Sequence, residues 1–170
     1  MTKIGYLLIL FCGTAFGQIP EWYQHEMARS VGTWMADNAS YMNEQETDEA
    51  YGISWEWGAG QKSLIGRLYG LKDSKVTNQY WQFFQFWDNE AQKARVIQVS
   101  PWGVKGEGFL EKIDSVHTKM SQTFIMPNGS SYESGHTTEI HKNKEISVSF
   151  EIKEGEWIEN RTYIWYKQNE

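Results

Sequence analysis

From Val31 onward, apolar and polar residues recur in short runs, either alternating or wholly apolar, broken by turn-forming residues at intervals of about ten to fourteen positions, which is an all-β rhythm. The pattern predicts strands over Val31 to Asp37, Asp48 to Trp57, Ser63 to Leu71, Gln79 to Trp87, Ala94 to Ser100, Val104 to Ile113, Val116 to Ile125, Tyr132 to Ile140, Glu145 to Lys153 and Trp157 to Lys167. Gly58-Ala59-Gly60, Lys72-Asp73-Ser74, Asp88-Asn89-Glu90, Pro101-Trp102-Gly103, His141 to Lys144 and Glu154-Gly155-Glu156 supply turns between them. Pro127-Asn128-Gly129-Ser130 reads as the tightest, because Asn-Gly readily takes the positive φ angles of a hairpin. The ninth strand alternates most cleanly, with Ile146, Val148, Phe150 and Ile152 on one face and Ser147, Ser149 and Glu151 on the other. Its apolar face is expected to be the buried one.

Ahead of the strands, Ile19 to Ser30 reads as a short helix with Pro20 at its first position, and Tyr23 and Met27, four apart, on one side. Its expected place is across one end of the β-structure. Short connections favour pairing between sequence neighbours, and a long meander leaves two exposed edges unless it closes. The expectation is therefore an all-β fold, a closed up-and-down antiparallel β-barrel of about ten strands with a short N-terminal helix. A two-sheet sandwich is the alternative.

Length and composition narrow this further. A chain of 170 residues is the size of one domain. Nine Trp, nine Tyr and eight Phe against three Pro suit strands, where aromatics pack across a pleated surface. The first 17 residues read as a signal peptide: Lys3, then the apolar run Tyr6 to Cys12, then Ala15-Phe16-Gly17 as a small-x-small cleavage site. That run is well short of the roughly 20 residues that span a bilayer. The expected location is secreted or periplasmic, with residues 18–170 as a single domain and no membrane insertion.

The one cysteine, Cys12, falls within that leader, which rules out disulfides, thiolate metal sites and cysteine nucleophiles in the processed chain. Phe11 stands where a lipid-attachment signal wants a small residue. The formal charge of −6 becomes −7 without Lys3, opposing nonspecific binding to nucleic acid. No nucleophile elbow, phosphate loop, zinc signature or dinucleotide fingerprint occurs, so no cofactor is implied.

Two points at the ends of the strand series carry a resemblance. Gly32-Thr33-Trp34 opens the first strand after a short helix, and Arg161-Thr162-Tyr163 lies in the last. In that order, around a meander of antiparallel strands, they resemble the calycins, the lipocalins and fatty-acid-binding proteins. The lipocalin likeness implies Trp34 packed across the barrel base beneath Arg161. The fatty-acid-binding likeness implies Arg161 and Tyr163 reaching inward to grip a ligand carboxylate. The connection after the first strand is too short for the helical lid of the latter, and the C-terminal helix and disulfide of lipocalins are missing. The chain is thus most similar to small exported bacterial calycin-like barrels of unassigned activity. Haem-binding barrels of the nitrobindin type hold iron through a histidine near the C-terminus, and the tenth strand has none.

The candidate function is binding of a small apolar or amphipathic molecule, carboxylate-bearing if Arg161 is its grip, in the barrel interior. Trp34, Trp55, Tyr80, Gln82, Phe84, Phe86, His136, Arg161 and Tyr163 are the expected contacts. Arg161 admits a second reading, sealing the barrel by stacking on Trp34 with no ligand involved. Strand four is aromatic on both faces, Tyr80, Gln82, Phe84 and Phe86 on one and Trp81, Phe83, Gln85 and Trp87 on the other. The outward face is either covered by the helix or a loop, or buried in a homodimer. His136 alternates with Ser134 and Thr138, forming either a polar pocket wall or the solvated side of a hairpin. No histidine spacing points to a metal, and Glu107 between two glycines reads as a bulge or bend. Two further functions stay open: a barrel isomerase or lyase using His136 or His117 with an acidic neighbour, and a carbohydrate or peptide binder using exposed Trp81 and Trp87.

Overall fold

The computed structural model describes residues 18–169, so the leader read from the sequence lies outside the described residues. One helix, α1 (Glu21–Ser30), precedes ten strands: β1 (Gly32–Asp37), β2 (Ala50–Trp57), β3 (Ser63–Lys72), β4 (Lys75–Asp88), β5 (Lys93–Val99), β6 (Lys105–Lys112), β7 (His117–Ile125), β8 (Ser131–Ile140), β9 (Lys144–Lys153) and β10 (Glu156–Lys167). Every strand pairs antiparallel with its sequence neighbours, and β1 pairs with β10 through Trp34↔Lys167, Met35↔Tyr166 and Ala36↔Trp165. The sheet is a closed ten-stranded barrel with no free edge.

The turns explain the strand bounds. Asp73 and Ser74 both have positive φ, +50° and +59°, so β3 and β4 meet in a two-residue hairpin and β4 begins at Lys75, ahead of the predicted Gln79. In the Pro127-Asn128-Gly129-Ser130 turn only Gly129, at φ +84°, takes the expected positive φ and Asn128 does not, with Gly129 donating to the Met126 carbonyl at 2.9 Å. Gly32 opens β1 at φ +113°, a conformation that L side chains rarely adopt, which accounts for the glycine at the head of the Gly-Thr-Trp run. No register shift occurs at Glu107, so the expected bulge there is absent. Gly108 is needed for space instead, since a Cβ would lie 1.8 Å from the Ser121 carbonyl oxygen. The bulges fall elsewhere, at Tyr80 and at Thr77-Asn78 in β4 and at Asn160 in β10, each adding one residue opposite an unbroken neighbour.

α1 caps one barrel end. Pro20 sits just outside the helix, one residue earlier than predicted, and its carbonyl accepts from the Tyr23 and Gln24 amides at 3.0 and 3.1 Å. Tyr23 and Met27 point inward and are fully buried against Leu64, Ala94, Trp55, Trp57, Trp87 and Leu110, all from that end of β2 to β6. The opposite end is crossed by the β1–β2 connection, residues 38–49, which includes a single 3₁₀ turn at Ala39–Tyr41. Met27→Ala should lower unfolding free energy by about 2–5 kcal/mol, because the packed end cannot collapse around the void. His25→Ala, whose side chain is mostly solvated, should stay within about 0.5 kcal/mol. Urea midpoints of the two variants, compared with the parent chain, measure the difference.

Candidate functional site

Above the α1 plug the barrel encloses a cavity of about 520 Å³ that extends to Tyr80, Asn160 and Arg161 at the end where the β1–β2 connection lies. Its shape follows from strand parity. One wall is apolar, with Ile53 and Trp55 from β2, Leu68 from β3 and Phe83 from β4. Trp55 lies flat over Gly66, where a Cβ would meet the indole at 2.4 Å, and packs on Phe83 at a centroid distance of 5.3 Å. The facing wall is polar: Thr118 from β7, His136 and Thr138 from β8, and Ser147 and Ser149 from β9. β9 is therefore the reverse of the expectation. Ser147 and Ser149 face the cavity, and the alternate residues Ile146, Val148 and Phe150 face outward.

Of the expected contacts, Trp34, Trp55, Tyr80, His136, Arg161 and Tyr163 line the cavity. Gln82, Phe84 and Phe86 do not. The bulge at Tyr80 lets Tyr80 and Trp81 both point inward, after which Phe83 and Gln85 keep the inner parity and Gln82, Phe84 and Phe86 take the outer one. Phe84 is 43 % exposed, packed at 5.1 Å on Phe86. Trp81 and Trp87, the indoles considered as outer platforms, are turned in: Trp81 lines the cavity and Trp87 packs under Trp22 and Tyr23. The exposed indole is Trp102, in the β5–β6 connection, 6.0 Å from Tyr80 at the mouth.

Arg161 does not stack on Trp34. Trp34 is paired with Lys167, six residues along β10 and so roughly 20 Å from Arg161 at the strand repeat. Both guanidinium NH groups of Arg161 instead bond Glu46, at 2.6 and 2.7 Å, a fork that holds the β1–β2 connection to the last strand. Glu46 also accepts from the Tyr51 hydroxyl at 2.8 Å and the Asn38 amide at 3.1 Å, while Tyr163 donates to Asn38 at 3.0 Å. Tyr41 closes the same connection, its hydroxyl donating to the Thr162 carbonyl at 3.1 Å and accepting from the Thr162 amide at 2.9 Å. Beside it, Asp48 accepts from Tyr80 and from Thr77. Burial and the Asp48 carboxylate push the Tyr80 hydroxyl up to about 12. The Arg161 fork brings Glu46 from the ordinary 4.5 down to about 2.

A second charged cluster forms the floor. Arg29 of α1 bonds Glu26 at 2.6 Å and also pairs with Glu145 of β9. Trp34 sits between Arg29 and Lys167, each 5.4 Å from its ring, and its indole N–H donates to the Ser30 carbonyl at 2.8 Å. Lys167 in turn donates to the Arg29 carbonyl at 2.7 Å. Glu145 is pushed upward by burial, opposed by the Arg29 charge. The cations over Trp34 are thus Arg29 and Lys167. Glu26, Glu46 and Glu145 carried no sequence signal, since Glu46 meets Arg161 across 115 positions and Glu145 meets Arg29 across 116.

The histidines divide. His136 is in the cavity wall, burial holds it neutral by lowering it to about 4, and its Nδ1 is sealed without a hydrogen-bond partner. His117 lies outside the cavity lining, bonded to Asp114 at 2.8 Å and about half exposed. The histidines with carboxylate partners, His25, His117 and His141, are therefore outside the cavity lining, and the one inside shows no carboxylate pairing among the described residues. No group of three metal-ligating side chains occurs among the described residues. Neither protein-family models nor curated protein sequences match the chain, so function is argued from this geometry.

The Glu46 fork has a pH signature. The depressed carboxyl stabilises the fold fully above pH 4.5 and loses that contribution as pH falls toward 2. Glu46→Gln should remove a component on the order of 1 kcal/mol at neutral pH, allowing for solvent at the mouth. It should also flatten the acid limb of stability between pH 4.5 and 2. Urea titrations at stepped pH on both proteins test this, and an unchanged acid limb in the variant would refute the role assigned to Glu46.

Proposed function

We propose that the protein is an exported carrier or scavenger that holds a small apolar or amphipathic molecule inside the barrel. The observation that carries this reading is the cavity of about 520 Å³, within the range of small-molecule sites, with one apolar wall and one polar wall. A barrel whose only task was to be stable would gain by filling that space, since voids forfeit packing contacts. Trp55 and Phe83 supply contact area for an apolar body, and the hydroxyls of Thr138, Ser147 and Ser149 supply hydrogen bonds. Export rests on the charged, apolar and small-residue pattern of the first 17 residues.

The carboxylate grip expected of Arg161 and Tyr163 has an internal occupant, because Glu46 takes both terminal guanidinium nitrogens. Arg161 accordingly belongs to the mouth, where it holds the β1–β2 connection. The enzyme reading lacks an inward histidine paired with an acid, and the platform reading loses the two indoles it rested on, since Trp81 and Trp87 are turned in. Neither is favoured over binding.

Native mass spectrometry of protein purified from its producing cells should show a retained small molecule, or the emptied protein should take up Nile red at one dye per chain. Ser147→Phe, which sends a ring into the cavity, should weaken the dye at least tenfold while leaving circular dichroism unchanged. No retained molecule together with no saturable dye uptake would overturn the proposal.

A further inference from the structure

The arginine of each charged cluster is paired internally. At the mouth Arg161 is spent on both oxygens of Glu46, and at the floor Arg29 serves Glu26 and Glu145 together. A ligand entering this space meets no free cation among the described residues that line it. It does meet a neutral imidazole. His136 is registered beside Met120 on β7 and Ser149 on β9, and the next inward level brings Thr138 beside Thr118 and Ser147. Directly opposed residues on one face of an antiparallel pair lie about 4.5–5.5 Å apart, so the four hydroxyls and the imidazole form one continuous polar patch across three strands.

His136 is the unusual member of that patch. Its Nδ1 is sealed and has no partner, while the ring lines the cavity, so the edge presented to the cavity is the one bearing Nε2. An orphaned N–H in a sealed position is rarer than an orphaned acceptor. The proton therefore belongs on Nε2, which makes the imidazole a donor aimed into the cavity. Burial keeps the ring uncharged, so it offers a single neutral hydrogen bond and no charge.

We infer that the barrel selects a neutral, flat, largely apolar molecule carrying a hydrogen-bond acceptor such as a carbonyl, with its body on Trp55 and Phe83 and its acceptor on His136 and Thr138. This rests on the binding function proposed above and names the chemistry of its ligand. An anionic ligand is disfavoured because Glu26 and Glu145 line the cavity and the arginines are already paired. A purely apolar ligand is disfavoured because it would leave the His136 donor unsatisfied and desolvated, where a carbonyl would satisfy it.

Three naphthalenes of nearly equal shape separate these cases by isothermal titration calorimetry on the ligand-free protein at pH 7: 2-acetylnaphthalene, 2-isopropenylnaphthalene and 2-naphthoate. The ketone should bind about tenfold more tightly than the alkene, the worth of one neutral hydrogen bond, and more tightly than the carboxylate by at least as much. His136→Phe should erase the ketone's advantage over the alkene. Thr138→Val, a smaller change to the fold, should reduce that advantage by part. Equal affinity for ketone and alkene, or tighter binding of the carboxylate, would overturn the inference while leaving the binding function standing. No heat with any of the three would overturn both.

Discussion

Closure of the barrel depends on its seam. β9 and β10 share ten registered pairs, whereas β1 and β10 share three, all near the α1 end. The rest of the seam is held by side chains and loop backbone. Near the floor Gln168 donates to the Thr33 carbonyl and Lys167 to the Arg29 carbonyl, and at the mouth Tyr41 and Glu46 reach across to Thr162 and Arg161. The charged clusters lie at the two ends of the shortest ladder in the barrel. Placing them there has a chemical by-product: the cations that enter the interior are consumed in closing it, and the cavity is left polar on one side without being charged toward a ligand.

Strand parity then decides what the cavity contains. With β9 turned so that Glu145, Ser147 and Ser149 face in, the floor gains a carboxylate and the wall gains two hydroxyls, while Ile146, Val148 and Ile164 face outward. The bulges at Tyr80 and Asn160 adjust parity at the mouth, setting Tyr80 beside Trp81 and Asn160 beside Arg161 within the cavity lining. The same bulge that turns Tyr80 in turns Phe84 and Phe86 out, beside Ile65 and Ile97 on neighbouring strands. The interior is thus more polar, and the exterior more apolar, than a simple inside-outside rule applied to each strand would have it.

How much of this was legible follows the range of the forces involved. Turn chemistry and periodicity act over a few residues, so the ten strands, their order and the capping helix with Tyr23 and Met27 inward could be read directly from the chain. Trp34, Trp55, Tyr80, Arg161 and Tyr163, expected as contacts, do line the cavity, and His136, left open between a pocket wall and a solvated hairpin face, lines it too. Gln82, Phe84 and Phe86 were misplaced because a single extra residue reverses a strand's parity and leaves no mark in composition. The apolar alternation of β9 pointed to the wrong face for a related reason: alternation says that two faces differ, and only the neighbouring strands say which one looks inward.

The partners of Arg161 and Trp34 were beyond local reading altogether. Arg161 could be assigned an inward position, but whether it would meet an indole, a ligand or Glu46 turned on where a connection some 115 positions away would fold. The chain's own pattern determined a closed barrel with a plugged end, because strand periodicity and edge avoidance suffice for that. The tertiary structure decided the polarity of the cavity and the occupancy of its arginines, because both depend on register and on charge pairs between residues that sequence distance keeps apart.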